Sequence, residues 1–389
     1  HCTLFSTGSP PAGGQAHVPA ESAGPQDDIS GINMINQKRL IQTFIDLVKI
    51  DSPSGEEQAI VKNVCQKLEA IGLRSEVDSI GNTYTFIKGM GEGVVLNAHF
   101  DTVEPGRNVR PQIKDGIIRS DGKTVLGADN KAALAAILEV IQVLSESTIQ
   151  HYPIELVLSV KEETESGIKQ FDFSHLKSKK GFCFDSSGPI GNLVTQASYI
   201  TEFHLEVTGK AAHAGIEPEK GINALTAAAK AMAQLSWGRI DKESTANVGL
   251  IKGGEAVNTV PRKVELAGDV RSISLQTKNA LLGKIEKTFK KEAEILGGEI
   301  NFGKLPYCEG YVFDQESDLV RQAVEALGKI GKKVKFIQSN GGADANLFNA
   351  RGIAMLNFGY GARNIHTVAE EISVENLSLL ARLVLELII

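Results

Sequence analysis

Four short apolar runs in this 389-residue chain each end in side chains able to hold a metal ion, and this repeated arrangement constrains the fold more than any other feature. The run Ile154, Leu156, Leu158, Val160 alternates as a buried strand does, and Glu162 and Glu163 follow it at once. Val94–Leu96 runs into Asn97-Ala98-His99-Phe100-Asp101, Gly181–Phe184 into Asp185, and Ile353–Phe358 leads through a glycine-rich loop to His366. Asp129, within Gly127-Ala128-Asp129-Asn130-Lys131, stands just before the helical segment AALAAILEVIQVL, at a strand-to-helix loop. In an open α/β sheet, ligands gather beyond the carboxyl ends of the strands, where these side chains are delivered. Singly, each has a plain structural reading: the paired glutamates as the start of a solvated loop, a buried histidine as a hydrogen-bonded core residue, Asp129 as a helix N-cap.

Together they bring two imidazoles and at least four carboxylates to one edge of one sheet. Zinc takes this mixture of nitrogen and oxygen ligands, and a carboxylate can bridge two ions about 3.5–4 Å apart in a two-metal hydrolase. The charges also balance, since Asp129, Glu163, Asp185 and a bridging hydroxide would offset two divalent ions.

Strand-like and helical segments alternate from an amphipathic helix near Ile35–Ile50, through a second from about Ser54 to Ile71, as far as Asp185. This is the pattern of an α/β domain with a central mixed sheet flanked by helices. From about Ser198 the texture changes to β-α-β-β-α, closed by a strand near Glu299–Lys304, as in an inserted α+β lid of ferredoxin-like topology. Helices around Leu319–Gly331 and from Val374 then return the chain to the first domain. A discontinuous catalytic domain is therefore expected over residues 34–197 and 312–389, with the lid and dimerisation domain over 198–311. Residues 1–33, rich in Pro, Gly, Ala and Ser, are expected to be a flexible leader of a kind a vector could supply, with Met34 as the native start.

With 42% hydrophobic residues there is ample material for two cores. A net charge of −6 without basic blocks excludes a nucleic-acid surface, and no apolar run is long enough to span a bilayer. Cys2, Cys65, Cys183 and Cys308 lack CxxC spacing, which excludes a cysteine zinc site and makes a reducing, cytoplasmic compartment the expectation. Gly89-Met90-Gly91-Glu92-Gly93 precedes a strand, whereas a dinucleotide-binding loop follows one.

The ordered set His99-Phe100-Asp101, Gly127–Lys131, Glu162-Glu163, Asp185, Gly209-Lys210-Ala211-Ala212-His213-Ala214-Gly215, Asn258-Thr259-Val260-Pro261, Asp269-Val270-Arg271, Gly341-Gly342-Ala343-Asp344 and His366 resembles the M20 co-catalytic zinc peptidases, and within them the peptidase T-like proteins. The resemblance spans nearly everything from Met34 onward. It implies a metallopeptidase with two divalent ions per subunit, zinc first and cobalt or manganese as substitutes. His99 and Asp185 would complete one metal site, Glu163 and His366 the other, and Asp129 would bridge them.

In the same family pattern Asp101 would orient His99, and Glu162 would act as general base on a metal-bridged hydroxide and pass the proton to the leaving amine. His213 would reach across a homodimer interface made by the lid to stabilise the tetrahedral oxyanion. Asn258 and Arg271 would contact the substrate backbone and carboxylate, with Asn340, Gly341 and Gly342 lining its approach. A cis peptide bond is expected between Asp129 and Asn130.

Two departures bear on the substrate: the interval from Asp101 to Asp129 lacks the insertion of peptidase T, and Asn340 stands where that enzyme has an arginine. The expected function is hydrolysis of short peptides by a tripeptidase- or aminopeptidase-like exopeptidase. A dizinc deacylase or carboxypeptidase acting on N-acylated amino acids is the alternative. A metal-binding scaffold without catalysis is a third reading, against which the intact Glu162 argues.

Overall fold

The computed structural model describes residues 34–164 and 166–389, so the expected leader lies outside the described residues. Helices α1 (Gln37–Val48) and α2 (Gln58–Glu69) precede strands β1 (Ser75–Val77), β2 (Thr83–Ile87) and β3 (Val94–His99). A short pair, β4 (Gln112–Lys114) and β5 (Ile117–Arg119), leads to α3 (Ala128–Glu146), β6 (Ile154–Ser159), β7 (Lys180–Ser186) and β8 (Asn192–Ala197). Next come β9 (Tyr199–Thr208), α4 (Ala224–Ala233), β10 (Gly238–Arg239), β11 (Ser244–Gly253), β12 (Lys263–Ser272), α5 (Leu275–Ile295) and β13 (Glu299–Cys308). The chain closes with β14 (Tyr311–Val312), α6 (Asp318–Lys329), β15 (Lys335–Ser339), α7 (Asp344–Ala350), β16 (Ala354–Gly359), β17 (Glu371–Ser373) and α8 (Val374–Ile388).

A nine-stranded mixed sheet runs in the order β1-β2-β6-β3-β7-β16-β8-β14, with β15 paired to β8. Its centre, β6-β3-β7-β16, is parallel, so these four strands end at one edge. Every residue of β3 and β6 is buried, as a parallel strand covered on both faces requires. One face packs against α1, α3, α6 and α8 in a core that includes Phe44, Leu96, Leu134, Leu156, Phe182 and Leu380; the other carries Val95, Val157, Cys183, Phe348 and Met355. In α1 the apolar positions Leu40, Phe44, Leu47 and Val48 form one buried stripe, and the Asn36 side chain caps the helix by accepting from Arg39 N (3.0 Å).

The second helix starts later than its sequence suggests, at Gln58 rather than near Ser54. Ser54 donates its hydroxyl to Asp101 (2.6 Å) instead of capping a helix, Gly55 adopts φ 93°, and the Glu57 carboxylate accepts from Gly55 N (2.8 Å) and Lys161 N (2.9 Å). Residues 54–57 thus form a turn tied to the sheet edge.

Residues of β9 to β13 build a separate five-stranded antiparallel sheet, ordered β10-β11-β12-β9-β13, with α4 and α5 on one face. Setting aside short β10, the strand order and two crossing helices are those of the expected ferredoxin-like arrangement. Alternation along β9 places Phe203, Leu205 and Val207 in a core with Leu266, Ile285 and Phe289. The closing strand extends to Cys308, beyond the expected Lys304. Among the described residues, no helix is long and apolar enough to cross a membrane.

Candidate metal centre

Because β3, β6, β7 and β16 are parallel, His99 ends the first, Glu162 and Glu163 follow the second, Asp185 sits near the end of the third, and His366 follows the fourth. Asp129 arrives from the opposite direction, at the distorted start of α3, where Asp129 (φ −79°, ψ 105°) and Asn130 (φ −115°, ψ 21°) are not helical. The bond between them is cis, as expected from the sequence.

The six side chains converge. Asp129 Oδ1 lies 3.3 Å from His99 Nε2 and its Oδ2 lies 3.4 Å from His366 Nε2, so its two oxygens face different imidazoles. Asp185 Oδ1 stands 3.5 Å from His99 Nε2, and Glu163 Oε1 stands 2.9 Å from His366 Nε2. Ligand-capable atoms of His99, Asp129 and Glu163 lie within 4.8 Å of one another, as do those of His99, Glu162 and Asp185. Glu162 is therefore as near to a ligand set as its neighbour, and distance alone does not separate base from ligand.

Asp101 organises this edge from behind. Its Oδ1 accepts from Glu162 N (2.9 Å), and its Oδ2 accepts from Glu163 N (3.1 Å) and Ser54 Oγ (2.6 Å). His99 Nδ1 faces the Asp101 carbonyl at 3.1 Å and its Oδ1 at 3.3 Å. One carboxylate thus fixes the ring of His99 and the backbone of both glutamates. The glutamates do not leave the strand directly: β6 ends at Ser159, and Lys161 (φ 55°) opens the turn that carries them.

With Nδ1 facing Asp101, His99 Nε2 faces the carboxylates of Asp129 and Asp185, an arrangement that either a second proton on the ring or a bound cation completes. The local electrostatics express the same need. Burial pushes the Asp185 carboxyl up to about 7, against the pull of His99, and the charges of Asp129 and Glu163 add to the rise. Burial, then Asp185, likewise holds Glu162 well above the usual carboxylate range. Burial would also raise Asp129, but His366 and His99 hold it well below that range. His366 is drawn up to about 10 by its hydrogen bonds with Asp129 and Glu163. Crowded carboxylates beside two imidazoles fit the ligand chemistry of divalent zinc.

Residues outside the sequence-derived set complete the shell. Glu370, 1% exposed, accepts from the backbone of the Asp129 loop, from Gly127 N (2.7 Å) and Asp129 N (3.0 Å). Burial raises its carboxyl to about 7. Asp344, quoted above only as part of a glycine motif, is buried against Ser159 Oγ and accepts from Asn97 Nδ2 (3.2 Å), joining the start of α7 to strands β6 and β3. Lys131 is fully buried and donates to the Ile50 carbonyl (2.9 Å); burial lowers its ammonium to about 8. The position of Glu370 four residues after His366 was the available sequence signal; that its carboxylate meets the Asp129 loop was not readable.

The expected substrate residues fall into two groups. Arg271 donates through Nε (2.9 Å) and Nη2 (2.6 Å) to Asp269 Oδ2, and through Nη1 to the Asn340 carbonyl (2.9 Å), so it links the second sheet to the loop beside the metal centre. Asn340 Oδ1 accepts from Ser198 Oγ (2.9 Å), and Gly342 packs against Tyr307 and Cys308. His213 and Asn258 are exposed; their loops are joined by Ala214 N donating to the Asn258 carbonyl (2.9 Å), and His213 belongs to neither ligand group.

Comparison with known proteins sets this geometry in a family. Residues 196–296 match the M20 peptidase dimerisation domain. The chain is 36% identical over 366 residues to an uncharacterised protein of Bacillus subtilis, YqjE, covering 91% of this chain and 99% of that one. The crystal structure of an aminopeptidase PepT from Bacillus cereus superposes with a TM-score of 0.88 at 37% identity, covering 92% of this chain and 99% of the other. The chain belongs to the M20 peptidases, in their peptidase T-like branch. A tripeptidase structure from Staphylococcus aureus gives a TM-score of 0.87 at 35% identity, covering 92% of this chain and 98% of the other. Membership makes the chain a metallopeptidase of the M20 type, and the converging acids and imidazoles lie at the sheet edge where such a centre is expected.

Proposed function

We propose that this M20 chain is a metal-dependent exopeptidase that cleaves short peptides with a free amino terminus, tripeptides among them, with Glu162 as general base. The observation that carries the reading is Asp129, whose two oxygens face His99 and His366 separately, with Glu162 beside them on a backbone fixed by Asp101. Relatives at 37% and 35% identity that are an aminopeptidase and a tripeptidase support the substrate class.

His99 and Asp185 would hold one divalent ion, Glu163 and His366 a second, with Asp129 shared; zinc suits these donors, and cobalt or manganese could substitute. When bound, such ions acidify water and polarise a carbonyl oxygen. Glu162 takes the proton released as water attacks the scissile carbonyl and delivers it to the leaving amine. Asp101 keeps His99 in one ring orientation and holds the Glu162–Glu163 turn. Arg271, beside Asn340, offers a guanidinium fork for a substrate carboxylate, and Asn258, Gly341 and Gly342 lie on loops that would flank the peptide backbone. The segment 198–311 would form the lid and carry a homodimer contact. Exposed His213 would then serve the neighbouring subunit's site by stabilising the oxyanion.

A panel of free and N-acylated di- and tripeptides, assayed with metal-stripped protein supplied in turn with zinc, cobalt and manganese, tests the reading. Release of amino-terminal residues from free tripeptides is expected. Cleavage confined to acylated substrates would assign the chain as a deacylase. Stoichiometric metal without hydrolysis would leave a binding scaffold.

A further inference from the structure

One short segment grips Asp129 from two sides. His366, at its start, meets the Asp129 side chain, with Nε2 3.4 Å from Oδ2. Four residues later Glu370 accepts hydrogen bonds from the backbone on the other side, from Gly127 N at 2.7 Å and Asp129 N at 3.0 Å. Between them the segment turns back on itself, with Glu370 N donating to the Thr367 carbonyl (3.0 Å). Glu370 then leads into β17, which pairs with β5, so the clamp is anchored to a strand.

Neither N–H group has a partner within a helix or strand ladder, since Gly127 precedes α3 and Asp129 lies in its distorted first turn. Gly127 is left-handed (φ 75°), and Asp129 and Asn130 lie off the helical conformation at the head of α3. In such a loop the direction of the Asp129 side chain is set by whatever fixes its backbone: Asn130 is tied through its side chain to the Phe184 carbonyl (2.7 Å), and the Glu370 carboxylate takes the Asp129 N–H itself. A buried acid capping the start of a helix has a purely structural use as well. Here, however, one of the two groups it holds is the N–H of Asp129 itself.

We propose that Glu370 is a positioning residue of the metal centre: it presets Asp129 so that its two oxygens face His99 and His366 before any ion arrives. The inference rests on the metallopeptidase reading above. Residues that fix a ligand from behind typically contribute about 10–100-fold to metal affinity.

The test compares metal-stripped wild-type protein, Glu370→Gln and Glu371→Gln, measuring zinc affinity by competition with a chromophoric chelator and unfolding in urea without metal. Glu371 serves as the neighbouring control because it pairs instead with Arg119 (2.9 Å) and Arg363 (2.8 Å). The expected result is two ions per wild-type chain, affinity for at least one of them weakened about 10–100-fold in Glu370→Gln, and none of that loss in Glu371→Gln. The visible spectrum of the cobalt-loaded Glu370→Gln protein should also change, reporting altered ligation that a merely less stable fold would not produce. Wild-type affinity and an unchanged cobalt spectrum in Glu370→Gln would overturn the inference even if its urea midpoint fell. Should that variant not fold, amide exchange in the metal-stripped wild-type protein decides: protected Gly127 and Asp129 N–H groups support a preset loop, and unprotected ones overturn it. A wild-type chain that binds no ion would defeat the underlying reading and the inference together, an outcome distinct from wild-type binding with an indifferent Glu370→Gln.

Discussion

Replacing the Glu162 carboxylate by its amide keeps the size of the side chain and removes its basicity, whereas the same change at Glu163 removes the charge of one of the two carboxylates that face His366 Nε2. Glu162→Gln is accordingly expected to retain two ions and lower turnover by roughly two to four powers of ten, and Glu163→Gln to lose metal. Metal analysis of both purified variants beside their turnover checks this. A Glu162→Gln protein stripped of metal beside a loaded Glu163→Gln would exchange the two roles. The front residues other than Asp129 were legible in the sequence because each follows an apolar run, and parallel strands carry such ends to one edge, while Asp129 was marked by its place just before a helical segment. Glu370 and Asp344 were not assigned, because their roles depend on backbone N–H groups and polar side chains far away in sequence. Glu370 meets Gly127 and Asp129, 243 and 241 residues earlier. No periodicity encodes such a meeting.

At the scale of elements, strand β7 places Asp185 and tolerates no side chain at Gly181. A Cβ there would stand 2.5 Å from the Val95 carbonyl oxygen and 2.8 Å from the Val95 Cβ, inside the neighbouring strand β3. Gly181→Ala is expected to cost about 1–3 kcal/mol by overpacking and to weaken metal binding, since the shifted strand carries Asp185 with it. Urea unfolding and zinc titration of the variant would show both, and unaltered stability would mean that the strands separate freely. On the far side of α3, Glu139 accepts from Asn36 N (2.8 Å) and from Arg39 Nε (2.7 Å) and Nη2 (2.9 Å), which fastens the start of α1 to the helix that begins at the metal centre. Losing that carboxylate in Glu139→Ala should destabilise the fold by about 1–3 kcal/mol, measured as a lower urea midpoint with an unchanged slope. Strand and helix order was readable from hydrophobic period, including the β-α-β-β-α texture of the second sheet. The late start of α2 was not, because Ser54 looks like a cap and instead serves Asp101 (2.6 Å).

Across the whole molecule, the contact of Arg271 Nη1 with the Asn340 carbonyl (2.9 Å) joins the ferredoxin-like sheet to the loop beside the metal centre, so a group suited to bind substrate also bridges the two layers. The family resemblance implied a substrate contact for Arg271 but could not reveal this bridge, which exists only once both sheets are folded and apposed. If the exposed His213 serves a second subunit, mixing inactive His213→Ala chains with inactive Glu162→Gln chains should restore a fraction of activity, because mixed dimers contain one complete site. No rescue after demonstrated subunit exchange would confine His213 to its own chain or remove it from catalysis. The central claim is that Asp129 and its neighbours form a two-ion hydrolytic centre. Its most direct test is to titrate metal-stripped protein with zinc while following tripeptide hydrolysis and bound ions together. Hydrolysis should be absent at the start, rise with occupancy and level off at two ions per chain, whereas full turnover in the stripped protein, or saturation with zinc at any stoichiometry without turnover of any peptide, would contradict it.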